Sequence, residues 1–251
     1  MSYPRRSALA AALAGAALLI TSLPASPAAA APLRTAVAVS AASRTAPAPT
    51  PTPTPVAAKP TPPKPPRDPR NIGVLVNKTH PLKPKSYVPK GLVRVNGQRM
   101  RAEPAKALTK LMRDAKRSGA RIVTVSGYRS YSTQKALFAR YTRAYGSAYA
   151  ARISARPGYS EHQTGLTMDV GAANGACRLG SCFGNTKAGR WVAKNAWKYG
   201  YIVRYPKGQE KVTGYTYEPW HLRYVGVKIS TAMKKGKIPT LEHYYGQVKR
   251  R

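Results

Sequence analysis

Acidic residues are scarce in this chain: 8 Asp and Glu stand against 43 Lys and Arg among 251 residues, for a formal net charge of +35. With so few acids, the position of each one is informative. Histidines number 4 and cysteines 2. A zinc site built on thiolates therefore has little support, because Cys177 and Cys182 in "ACRLGSCFG" lack a second pair of ligands. In an oxidising compartment, two cysteines closing so short a loop are expected to form a disulfide. Long apolar runs are missing too. The Ala-diluted stretch from Ala8 to Ile20 is shorter than the ~20 residues needed to cross a bilayer comfortably, which argues against a membrane anchor. The downstream part shows no repeat of solenoid period, so a stacked array is excluded.

The N-terminal end has a recognisable order: Tyr3-Pro4-Arg5-Arg6, then the Ala/Leu-rich run, then the small residues "SPAAAA". That order predicts a secretory signal over 1–31, cleaved near Ala29 to Ala31, and hence export to the cell wall or medium. Residues 32–70 are rich in Ala, Thr and Pro, and "APAPTPTPTPVAAKPTPPKPPRDPR" lacks any aromatic residue that could build a core. This segment is expected to be a disordered linker. In polyproline II geometry, at about 3.1 Å per residue, the quoted stretch would reach ~75 Å, enough to work across a thick polymer layer. Of the charged residues, 35 Lys and Arg and 7 Asp and Glu lie within 71–251, so the folded part carries most of the positive charge. An anionic environment follows. Nucleic acid is the usual partner for such charge, but an exported protein points instead to anionic wall polymers or anionic lipid.

Downstream of Asn71 the pattern is mixed. "EPAKALTKLMRDAKRSG" places Pro104 at a helix start, Ala107, Leu108, Leu111, Met112 and Ala115 on one face, and Gly119 as a stop. "ARIVTVSG" reads as a strand, and "SYSTQKALFARYTRAYG" as a second helix capped by Ser130 or Ser132. "LTMDVG" alternates as a half-buried strand with Asp169 turned away from the core. "TKAGRWVAKNAWKYG" predicts a third helix from Thr186 to Gly200, followed by the strand "YIVRYP". "GYTYEPWHLRYVG" predicts a strand broken in its middle by Pro219. The expectation is a single α+β domain, a monomer, with a mostly antiparallel sheet flanked by helices.

Two histidines are expected at the surface: His80, beside a proline in "THP", and His243, near the basic tail. His162, Asp169 and His221 remain as candidates for a zinc site, which needs about three protein ligands and an open position. A turn at Gly165 must bring His162 and Asp169 together on the sheet face. One straight strand would put them on opposite faces, and the metal reading would fail. "EPWH" sets Glu218 three residues before His221, where an unbound carboxylate can act as general base. Glu161 competes for that role, but its neighbour His162 would turn it elsewhere in an extended segment. Arg129 stands at a strand-to-helix corner suited to a carboxylate, and Gln134 can add an amide donor.

Five stretches, "SGYRSYSTQ", "PGYSEHQTGLTMDVG", "CFGNT", "NAWKYGYIVRYPKG" and "TGYTYEPWHLRYVG", together resemble the zinc D-alanyl-D-alanine carboxypeptidases of the VanY type. "VNKTHPL" is similar to the start of that domain, so the resemblance spans about Asn71 to Gly226. It implies that His162, Asp169 and His221 bind Zn2+, that Glu218 is the base, and that Arg129 holds the substrate's terminal carboxylate. Ser160 and Gln134 are placed near the substrate on the same grounds. The implied activity is removal of the C-terminal D-alanine from peptidoglycan stem peptides. Related activities remain as alternatives: an endopeptidase or a dipeptidase of the same chemistry. A non-catalytic zinc-stabilised module that binds the wall is a third, but it would have no use for Glu218 beside the metal.

Overall fold

A computed structural model describes residues 61–248. The expected signal, and the expected linker up to residue 60, lie outside the described residues. Residues 61–68 form no helix or strand, and Pro69 is buried, so contact with the folded unit begins before Asn71. Among the described residues no helix is long and apolar enough to cross a membrane.

A hairpin opens the folded part: β1 (Leu92–Val95) and β2 (Gln98–Arg101) pair antiparallel. Asn96 and Gly97 join them with φ of 45° and 84°, the left-handed pair that a two-residue turn of matching twist requires. Helix α1 (Ala102–Arg117) follows, with Pro104 in its first turn and Leu108, Leu111 and Ala115 buried. Complete burial of each leucine stabilises the fold by about 1.5–3 kcal/mol.

The remaining order is β3 (Ile122–Ser126), α2 (Tyr131–Tyr145), α3 (Ser147–Ile153), β4 (Thr167–Ala172), α4 (Lys187–Asn195), β5 (Tyr201–Tyr205), α5 (Glu210–Thr213), β6 (Glu218–Tyr224), α6 (Gly226–Lys235) and α7 (Leu241–Tyr244). Ser130 caps α2 by accepting a hydrogen bond from the Thr133 amide. The four long-range strands form an antiparallel sheet in the order β3-β4-β6-β5, so the α+β expectation holds. Met168, Val170 and Leu222 of this sheet pack with Leu108, Leu111, Val192 and Phe183 in the main core. A second core joins Leu75, Ile202 and Val225 to Met233, Leu241 and Tyr245.

Three local expectations are corrected. β4 is buried on both faces rather than half-buried: Met168 and Val170 lie in the main core, and the Thr167 and Asp169 face is covered as well. The third helix stops at Asn195, where φ turns to −120°, and a separate 3-10 turn (Ala196–Tyr199) carries the chain to Gly200. The last strand begins at Glu218 instead of running from Gly214, and Pro219 is its second residue. Pro219 lies outside the pairing with β4 and beside a register shift in the pairing with β5, where its missing N–H costs no ladder bond.

Cys177 and Cys182 are joined in a disulfide with Cα atoms 5.5 Å apart. Leu179, inside that loop, lines the cavity described below. Alkylation of the purified protein without reduction is expected to label neither cysteine, and two labelled thiols would contradict the bridge. On the chain-entropy view, reduction of so short a loop should lower stability by about 2 kcal/mol, readable as a shift in the denaturation midpoint.

Candidate active site

Asp169 on β4 and His221 on β6 are direct cross-strand partners. Antiparallel pairing therefore brings their Cβ atoms to within about 4.5–5.5 Å before any side-chain choice is made. His162 arrives by another route. It sits in a 3-10 turn (Glu161–Thr164) that ends at Gly165 with φ of 69°, and this left-handed residue sends the chain into β4. The turn at Gly165 thus joins His162 to Asp169 as the sequence required.

His162 Nε2 lies 3.3 Å from Asp169 Oδ2, and His221 Nδ1 lies 3.4 Å from Asp169 Oδ1. Ligand atoms of all three residues fall within 4.8 Å of one another. A tetrahedral site with bonds of ~2.0–2.1 Å has edges of roughly 3.3–3.4 Å, so these separations fit ligation. Asp169 Oδ1 is buried without any hydrogen-bond partner, an orphan that a cation would satisfy. His162 places its Nδ1 2.8 Å from the Gly127 carbonyl, so the proton belongs there and the Nε2 lone pair is free. Gly127 is needed where the chain passes β2, since a Cβ there would stand 2.3 Å from the Arg99 carbonyl oxygen. Burial lowers the His162 pKa, which favours the neutral ring that binds metal.

Glu218 Oε2 lies 3.3 Å from His221 Nδ1. In a regular strand, residues three apart face opposite ways, and the irregularity around Pro219 brings both side chains to one side. Burial raises the Glu218 pKa above the ordinary carboxylate range, and the Asp169 charge adds to the rise. Burial depresses His221, but hydrogen bonds to Glu161 and Glu218 lift it to about 9. The centre therefore attracts positive charge.

Glu161 also lines the cavity, but its carboxylate is committed elsewhere and is not free to serve as base. It is fully buried, its Oε1 accepts from Arg204 Nε at 2.8 Å and from Arg223 Nη1 at 2.7 Å, and its Oε2 lies 3.3 Å from His221 Nε2. Although burial alone would raise its pKa, the two guanidinium charges hold it far below the usual range. Glu161 thus fixes the ring of His221 and leaves Nδ1 facing Asp169 and Glu218.

A cavity of about 270 Å³ opens over these groups, walled by Arg129, Tyr141, Ser160, Tyr205, Tyr215 and Trp220 among others. Arg129 is half-buried at the corner between β3 and α2, where burial lowers its pKa and Asp169 opposes the fall. Gln134 lies elsewhere than expected for a substrate donor. It is fully buried, its Nε2 donates to Ser154 Oγ and the Ala155 carbonyl, and its Oε1 accepts from Arg129 Nη1 at 2.7 Å. It therefore orients the guanidinium. Ser160 is buried in the cavity wall. His243 is buried rather than exposed, with Nδ1 2.8 Å from Thr240 Oγ1, because α7 packs into the second core. His80 is half-buried against Asn77 and Thr79, and neither histidine joins the metal cluster. Tyr205 and Tyr215 went unread in the sequence; the Tyr205 ring packs 4.7 Å from that of His221.

The sequence profile of the VanY family, D-alanyl-D-alanine carboxypeptidase, matches residues 97–227. This chain belongs to the VanY family. Its similarity to YodJ of Bacillus subtilis (strain 168), a carboxypeptidase by name, is 42% identity over 73% of this chain and 70% of the relative. Among solved structures, the LD-carboxypeptidase LdcB aligns with TM-score 0.67 and 42% identity, covering 73% of this chain and 89% of that one. The D,D-pentapeptidase VanY from a VanB-type resistance cassette, solved as a mutant with Zn(II), aligns with TM-score 0.59 and 31% identity over 70% and 98%. VanY relatives are peptidoglycan carboxypeptidases, which supports a peptidoglycan-hydrolysing peptidase here.

Proposed function

We propose that the protein is an exported zinc D,D-carboxypeptidase that removes the terminal D-alanine from peptidoglycan stem peptides. The observation that carries this reading is the convergence on one cavity of Glu218, the His162, Asp169 and His221 cluster, and Arg129. Zinc held by those three side chains supplies a water of lowered pKa and a polarised scissile carbonyl. Glu218, unligated and facing the same space, accepts the proton of the attacking water and returns it to the leaving amine nitrogen. Arg129, held by Gln134 and Ser126, grips the free carboxylate and sets which bond meets the centre. The basic surface keeps the enzyme among anionic wall polymers, and the signal-like N-terminus supports its export.

A second reading, L,D-carboxypeptidase, is supported by the 42% identity to LdcB. There the bond cut joins an L centre to the terminal D residue. Both readings need a free carboxylate at Arg129, whereas an endopeptidase does not. Amidating the C-terminus of the peptide is expected to reduce cleavage sharply. Arg129→Ala should lower kcat/KM for the free acid by roughly 10- to 100-fold, as for loss of a charge-assisted contact, and erase most of the preference over the amide. Arg129→Lys should restore only part, since a point charge cannot reproduce the planar fork. Equal cleavage of amide and acid by the wild type would remove Arg129 as anchor and favour the endopeptidase.

A further inference from the structure

The family match ends at residue 227, yet a carboxylate beyond it reaches the candidate metal centre through an unbroken chain of buried groups. Glu242, in α7, accepts from Arg204 through both oxygens: Nη2 to Oε1 at 2.7 Å and Nη1 to Oε2 at 3.0 Å. Asn77 Nδ2, upstream of the matched stretch, donates to the same Oε1 at 3.0 Å. Arg204 turns its remaining Nε to Glu161 Oε1, and Glu161 Oε2 meets His221. Arg223 joins from β6, with Nη1 on Glu161 and Nη2 donating to the carbonyls of Ile72 and Val74. Arg204 and Arg223 are 0% exposed, Glu161 1% and Glu242 3%.

We propose that Glu242 is a positioning residue for His221, setting through Arg204 and Glu161 how strongly that histidine binds metal. The cluster holds two guanidinium and two carboxylate charges, so it is neutral only with Glu242 present. Burial without balance is costly, because a guanidinium stripped of its partner keeps its charge in a low-dielectric interior. With Glu242 in place, Arg204 divides its hydrogen bonds between two anions, one to Glu161 and two to Glu242. Both arginines then bear on one oxygen of Glu161, and the other oxygen is left to accept from His221 Nε2–H. Replacing Glu242 by a neutral group concentrates the Arg204 charge on Glu161. Glu161 then accepts more weakly from His221, and the His221 ligand becomes less basic and less firmly oriented. The physical consequence is a change in metal affinity originating in a helix outside the cavity.

This inference rests on the metal site proposed above, and the experiment separates the two. Zinc affinity is measured by competition with a chromophoric chelator on the full exported chain, and the Co(II)-substituted protein is examined by its visible absorption. Glu242→Gln is expected to bind zinc about tenfold more weakly, the low end of the roughly 10- to 100-fold seen for groups hydrogen-bonded directly to ligands, and to shift the Co(II) bands. Glu242→Asp keeps the charge but shortens the reach, so it should fall between; it also decides the matter if the Gln variant does not fold. Asp114→Asn serves as a control for general loosening, since Asp114 accepts a 2.8 Å bond from Tyr199 outside this network. Wild-type affinity and unchanged Co(II) bands in a folded Glu242 variant would overturn the proposal, as would equal weakening in Asp114→Asn. A wild type that binds no zinc would instead overturn the metal site itself.

Discussion

Glu218→Gln is expected to keep bound zinc while losing on the order of 10²- to 10⁴-fold in kcat. The substitution preserves shape and the capacity to sit beside His221, but an amide nitrogen or oxygen cannot take a proton from water at neutral pH. Metal content should be unaffected because the three proposed ligands are other residues. Nor does a neighbouring acid stand ready to replace it. Glu161, a second carboxylate within reach of His221, has its oxygens committed to Arg204, Arg223 and His221 itself. Asp169 faces both histidines. The loss should therefore appear in the chemical step, with KM little changed, and near-normal turnover in a folded, zinc-replete variant would move the base elsewhere.

His162→Ala and His221→Ala should each lose zinc, and with it essentially all activity, since two remaining protein ligands seldom hold the ion in water. The two variants should differ in stability. Removing His162 leaves the Gly127 carbonyl and Asp169 Oδ2 without that ring, whereas removing His221 leaves three buried carboxylate oxygens, Glu161 Oε2, Glu218 Oε2 and Asp169 Oδ1, without their imidazole partner. His221→Ala is thus expected to be the less stable of the two, by about 1–3 kcal/mol for each buried acceptor left without its bond. Metal analysis of the purified proteins, with circular dichroism to confirm folding, checks both statements. Full zinc content in either folded variant would contradict the ligand assignment.

Much of this architecture was legible before any coordinates. α1 was legible from Pro104 near its start and Gly119 as its stop, α2 from Ser130 or Ser132 and from Gly146, the end of β3 from Gly127, and the turn into β4 from Gly165. The site residues stood out because acids and histidines are rare, so His162, Asp169, Glu218 and His221 had few competitors. The Asn96-Gly97 turn was a local signal that went unread. Other features have no local signal at all. Glu161 meets Arg204 and Arg223 from 43 and 62 positions away, and Glu242 reaches Asn77 across 165. Among so many basic residues, nothing in the sequence marks those two arginines as buried. The double-sided burial of β4 likewise depends on what packs over its second face, which composition along one strand does not report. Gln134 reads as a donor near a helix start, and only the packing of Ser154 and Ala155 against it shows that both its N–H groups are spent.

The most direct test is to incubate the zinc-loaded protein with two stem peptides in equal amounts, a pentapeptide ending in D-Ala-D-Ala and the tetrapeptide lacking its last residue, and to follow the product masses with time. The predicted result is loss of a single alanine from the pentapeptide, abolished by chelation and by Glu218→Gln, with the tetrapeptide consumed much more slowly or not at all. Loss of the terminal alanine from the tetrapeptide while the pentapeptide persists would overturn the D,D assignment in favour of L,D cleavage. Fragments from an internal cut, or no cleavage of either peptide, would contradict the carboxypeptidase itself.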